Sequence, residues 1–241
     1  MNKKKMLITQ ISLNGSIIFL VVLGLIFSLC GVRFFGNIGK LTPDGNNMFT
    51  MFTVDSNLLL GAFSIPILIY QILVLKNKKE SVPFCAYILK FVGVVGTSLT
   101  LLTVLFYLCP ILGSNFYKLF LDTNFLYHLV VPVLGIISFI FFEYDYEKSI
   151  NIKYTFVGIV PMLIYSTYYC INAFSHIDEN GNVPWKYDVY AFASKGVGIA
   201  IVMVFVMIAF TYLISFLLYL FNKLMWKKHM KEKENEEPQT L

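Results

Sequence analysis

Long apolar runs alternate with short polar ones along this chain. A hydrocarbon core of about 30 Å is crossed by about 20 apolar residues in a helix. By that measure six runs qualify, at residues 7–32, 50–75, 84–112, 123–143, 154–175 and 194–222. The expected fold class is all-α: a polytopic bundle of six transmembrane helices over residues 1–222, followed by a charged tail at 223–241. The first run follows Lys3, Lys4 and Lys5 but ends without a small-x-small cleavage site, so it reads as a retained helix and not a signal peptide. Pro66, Pro110 and Pro161 predict kinks or helix ends. No motif recurs at a fixed offset and the two halves do not read as inverted copies, which disfavours the commonest transporter folds.

Composition sharpens the picture. Apolar residues make up 57% of the chain and charged ones 14%, with a mean hydropathy of +0.71. An ordinary globular domain carries roughly 25% charged residues, so a soluble domain is excluded. The net charge of +5 comes from short Lys clusters between the runs and not from a patch or stripe, so nucleic acid is not an expected partner. Those clusters set orientation. The N-terminus, the 76–83 and 144–153 loops and the tail hold 13 Lys, against five basic residues in the other loops, which predicts cytoplasmic termini. A Lys-heavy chain whose one arginine is Arg33 points to a bacterial coding sequence and hence to a plasma membrane.

Cys30, Cys85, Cys109 and Cys170 show no metal-ligand spacing and read as buried apolar filling, and no metal or cofactor is expected. The tail from Lys227 to Leu241 reads as a solvated, frayed end. In the 175–194 loop, Trp185, Tyr187 and Tyr190 read as interfacial anchors, with a lid over a site as the alternative. His176 and His229 are expected to face solvent. Glu143, Asp145 and Glu147, near Lys148, are expected to form surface ion pairs.

Polar side chains inside a span are costly and each needs an account. The second run opens with Thr53, Asp55, Ser56 and Asn57, and the fourth carries His128 about a turn and a half inside. Both runs start from the same side of the membrane, so these groups share a depth. At about 100° per residue, Thr53, Ser56 and Asn57 fall on one helix face, whereas Asp55 lies about 160° from Thr53. Asp55 therefore need not belong to a Thr53 site and is a candidate accessory to it. Pro132 cannot donate to the His128 carbonyl, so the backbone kinks beside the imidazole. Two readings stand at this point: a polar pocket with chemistry, or interhelical hydrogen bonds that hold the bundle together, each worth about 0.6–2 kcal/mol.

Three segments, "FTVDSNLL" from Phe52, "FYKLFLDTNFLYHLVVPVLGIISFIFFE" from Phe116 to Glu143, and "NVPWKYDVYAF" before the sixth run, resemble the family of androgen-induced gene and androgen-dependent TFPI-regulating proteins. Those are six-helix membrane enzymes with bacterial relatives. The resemblance implies hydrolysis of lipid esters of the fatty-acid-ester-of-hydroxy-fatty-acid type, with the intramembrane Thr and His falling on Thr53 and His128. The chemistry is coherent: His128 is a base able to take the Thr53 proton, and Ser56 or Asn57, one turn away, could donate to the oxyanion. The expected partners are a lipid or fatty acid ester substrate and the bilayer. The alternatives are a small-molecule or ion transporter and a non-catalytic lipid-binding protein. Against the transporter, the far halves of the spans offer only Lys90 as an ionisable relay.

Overall fold

The computed structural model describes residues 3–34, 45–143, 150–184, 186–188 and 190–236. Among them are six helices long and apolar enough to cross a membrane: Lys4–Cys30, Phe52–Leu75, Phe84–Phe120, Thr123–Phe141, Ile152–Phe174 and Val197–Glu232. This is an all-α, multi-pass membrane architecture, and its spans fall on the six apolar runs. In finer detail the helices are α1 (Lys3–Cys30), α2 (Phe52–Leu75), α3 (Phe84–Thr103), α4 (Cys109–Leu112), α5 (Thr123–Phe125), α6 (Val131–Phe141), α7 (Val160–Phe174) and α8 (Val197–Glu236). The 40-residue α8 runs straight through the charged segment once expected to fray, because nothing between Gly198 and Pro238 breaks a helix and Lys and Glu are good helix formers.

The two proline breaks have one local signature. Val104–Leu108 and Leu126–Val130 are both π-helical, and each ends two residues before a proline, Pro110 and Pro132. A helical proline clashes with the carbonyl four residues back, and widening the turn by one residue relieves the clash. The expected kink beside His128 is thus a π-turn that contains His128.

The third span sits at the centre. Every residue from 90 to 101 is buried, so α3 has no lipid-facing side over three turns, as expected for a core helix. It packs on α2, α6, α7, α8 and the 3₁₀ segment Ile152–Ile159. Small residues permit the close approach of α2: a Cβ on Gly93 would stand 2.8 Å from the Leu60 Cα, and one on Gly96 3.2 Å from the Ser56 Cβ. One turn further on, Ser56 Oγ and Thr100 Oγ1 are 3.0 Å apart and hydrogen-bonded.

The four cysteines do not fill the core. Cys30 and Cys85 are exposed and Cys109 and Cys170 half-buried, because a thiol is apolar enough to face lipid. At the end of the bundle where α1 begins, here the terminal end, Glu143 is not on the surface. It is fully buried, with Oε1 3.6 Å from the equally buried Lys90 Nζ. Lys90 also donates to Asn14 Oδ1 and, at 2.9 Å, to Ser64 Oγ. Glu143 Oε1 further accepts from Asn14 Nδ2 at 2.9 Å and Ser138 Oγ at 2.6 Å. Asn222 Nδ2 donates to the Phe139 and Glu143 carbonyls, so α1, α2, α3, α6 and α8 all meet in this polar core. Asp145, Glu147 and Lys148 lie outside the described residues.

Candidate active site

At the opposite end of the bundle, α2 begins beside a small chamber of about 40 Å³, lined by Thr53, Thr100, Thr103, Tyr165, Ser166 and Tyr169, among others, and covered by Tyr190 and Phe192. That volume exceeds the roughly 10–15 Å³ needed to hold a water. The Thr53 hydroxyl makes no hydrogen bond among the described residues, so its proton and lone pairs are uncommitted. The cover is firmly held. Asp188, 2% exposed, accepts from the backbone N–H groups of Phe192 at 3.0 Å and Ser194 at 2.8 Å and from the Tyr169 hydroxyl. Tyr190 enters the bundle, where its hydroxyl accepts from the Phe52 N–H at 3.2 Å and its ring meets Tyr165 edge-on at 6.3 Å. Burial holds the Tyr190 phenol up at about 12, so it stays protonated and neutral in the ordinary pH range.

Of the loop aromatics, Tyr190 therefore lies on the chamber wall, as the lid alternative expected. Tyr187 stacks on the exposed His176 with centroids 3.5 Å apart, and Trp185 lies outside the described residues. His229 is half-buried along α8 and not free in solvent, because the helix continues past it.

A second hollow of about 550 Å³ lies between α2 and α7, lined by Asp55, Leu59, Phe63, Ile164 and Tyr168 among others. Ile164 and Tyr168 are exposed on the outer face of α7, so this groove opens where lipid would lie. Asp55 faces it, on a different side of α2 from Thr53, as the helical spacing requires. Phe52 and Tyr165 belong to the walls of both hollows and pack edge-on with centroids 5.2 Å apart.

His128 is 5% exposed, and its Nδ1 lies 2.7 Å from the Leu119 carbonyl. A carbonyl only accepts, so Nδ1 carries the hydrogen and Nε2 is left with the lone pair. The imidazole is thereby oriented with its basic nitrogen unused by the protein. Thr53 and His128 share a depth, because Asn57 Nδ2 donates both to the Thr53 carbonyl at 2.7 Å and to the Tyr127 carbonyl at 3.0 Å. Their functional atoms are not hydrogen-bonded to each other, and His128 does not line the Thr53 chamber.

The supporting residues are already engaged. Both Asn57 N–H groups serve those two carbonyls, and Ser56 Oγ donates to the Thr53 carbonyl at 3.1 Å, so neither residue keeps a donor for an oxyanion. Both instead fix the first turn of α2 against its neighbours. Besides Thr53, the uncommitted hydroxyls at the chamber are Thr103 Oγ1 and Ser166 Oγ, both buried and without a hydrogen-bond partner among the described residues. Sequence reading passed over them, because single hydroxyls in an apolar run carry no sign of which neighbour they face.

No family model matches the chain, and no curated protein or solved structure matches it either. Among the described residues no group of His, Cys, Asp and Glu is placed to hold a metal ion.

Proposed function

We propose that this protein is an intramembrane hydrolase of lipid esters of the fatty-acid-ester-of-hydroxy-fatty-acid type, resident in a bacterial plasma membrane with both termini cytoplasmic. Thr53 is the nucleophile and His128 the base. The observation that carries this reading is the Thr53 hydroxyl: it is uncommitted, lines a small chamber, and stands one shared wall from a groove open to lipid. Thr53 Oγ attacks the ester carbonyl carbon while its proton passes, through water, to His128 Nε2. Collapse of the tetrahedral intermediate returns that proton to the departing hydroxy-acid oxygen, and water then hydrolyses the acyl-threonine by the same relay. The Leu119 carbonyl keeps His128 in the tautomer this needs.

The test is covalent trapping. A fluorophosphonate should form an adduct that peptide mass spectrometry places on Thr53, that survives Ser56→Ala and that disappears in Thr53→Ala. A folded protein that neither labels nor hydrolyses long-chain esters would defeat the proposal. Orientation is checked separately, since a cysteine introduced at Gly181 should label from outside the cell.

A second reading has a specific observation behind it. The buried Lys90–Glu143 pair supplies an ionisable cluster at the terminal end, which a cation- or proton-coupled transporter would use. Loss of substrate uptake in Glu143→Gln, with ester hydrolysis absent throughout, would favour it.

A further inference from the structure

We propose that Thr103 and Ser166 form the polar anchor of a carbonyl-binding site for a membrane-dissolved acyl ester, whose chain lies in the groove between α2 and α7. Ser166 is 4% exposed, and its Oγ and Thr103 Oγ1 have no hydrogen-bond partner among the described residues. Leaving a buried hydroxyl unsatisfied costs about 1–3 kcal/mol, and helical hydroxyls ordinarily avoid this by bonding to a carbonyl on the preceding turn. Thr97, Thr167 and Thr211 of this chain do so. Thr103 and Ser166 do not, and both sit on the wall of the same chamber, on different helices.

Two uncommitted hydroxyls in an otherwise largely apolar chamber suit a ligand that is apolar but for one or two acceptors, since each hydroxyl can donate to it. An ester carbonyl fits that description, and a sugar or an amino acid does not, because the largely apolar walls would leave most of its polar groups unpaired. A chamber of about 40 Å³ takes the carbonyl end and little else. The chain must therefore lie outside, and the adjoining groove of about 550 Å³ is open to lipid and largely apolar, with Asp55 on its wall. The Phe52–Tyr165 edge contact is the boundary it crosses.

The inference rests on the ester-hydrolase reading for its ligand, but it concerns binding and is read without turnover. In Thr53→Ala protein, reconstituted in phosphatidylcholine nanodiscs, a long-chain fatty acid methyl ester with a diazirine at its far end is crosslinked over a concentration series. Half-saturation should rise roughly thirtyfold in the added double variant Thr103→Val/Ser166→Ala, since the two hydrogen bonds lost contribute about 1 kcal/mol each. Melting should be unchanged or raised, because neither hydroxyl holds a protein partner and each carries a burial cost. Restoring one hydroxyl with Ser166→Thr in place of Ser166→Ala should recover part of the affinity. The crosslinks should map to α2 and α7 peptides carrying Leu59, Phe63 and Ile164. Equal binding by the double variant, crosslinks mapping elsewhere, or no saturable crosslinking at all would each overturn the inference. Saturable, hydroxyl-dependent binding with no hydrolysis by the protein bearing Thr53 would uphold it and defeat the hydrolase reading alone.

Discussion

Replacing Lys90 by Met removes a fully buried ammonium and leaves the Glu143 carboxylate fully buried without its counter-charge. Breaking a buried ion pair from one side typically costs about 3–5 kcal/mol, because the remaining charge keeps its desolvation penalty. Here the stranded carboxylate still accepts from Asn14 Nδ2 at 2.9 Å and Ser138 Oγ at 2.6 Å, and Ser64 Oγ still donates to the Leu60 carbonyl at 2.7 Å. Those neutral donors place the expected loss at the low end, about 3 kcal/mol. For a chain of this size that is a fall in melting temperature of roughly 6–12 °C. Lys90→Met/Glu143→Gln removes the charge but keeps an amide oxygen for Asn14 and Ser138, so it should recover most of the loss. The assay is thermal unfolding in detergent followed by circular dichroism, run as a double-mutant cycle. A double variant no more stable than Lys90→Met would refute the argument that a stranded charge is the cause. A harmless Lys90→Met would refute the pairing itself.

Gly93→Ala places a methyl group 2.8 Å from the Leu60 Cα, a backbone atom that cannot swing aside, and should destabilise the protein by about 1–3 kcal/mol in the same melting assay. Asn57→Leu removes the donor shared by the Thr53 and Tyr127 carbonyls and should lower stability by about 1–3 kcal/mol while leaving α2 helical by circular dichroism. Asp188→Ala strips the acceptor from Tyr169 and from the N–H groups of Phe192 and Ser194. Protease nicking between Val183 and Ser194 should then accelerate at least several-fold, and an unchanged rate would mean that the carboxylate does not hold the lid. His128→Ala should abolish ester hydrolysis while lowering stability by only about 1–3 kcal/mol, the cost of leaving the Leu119 carbonyl unpaired, and activity within twofold of the parent would exclude His128 as the base.

The fold class was written in the chain itself, because a membrane span is a local property: about 20 apolar residues either are consecutive or are not. The opposed faces of Thr53 and Asp55 followed for the same reason, since helical rotation depends only on spacing. The shared depth of Thr53 and His128 followed from counting runs. What the tertiary structure decided was pairing between helices. Lipid is as apolar as the core, so these helices carry no inside-out amphipathic signal to say which face meets which neighbour. Hence Glu143 read as a surface acid although it pairs with Lys90 in the interior, and between anchor and lid for Tyr190 only its packing on the chamber wall could favour the lid. Ser56 and Asn57 read as free donors until backbone carbonyls were seen to occupy them. Thr103 and Ser166 could be found only in three dimensions, because being unpartnered is a property of the surroundings and not of the residue.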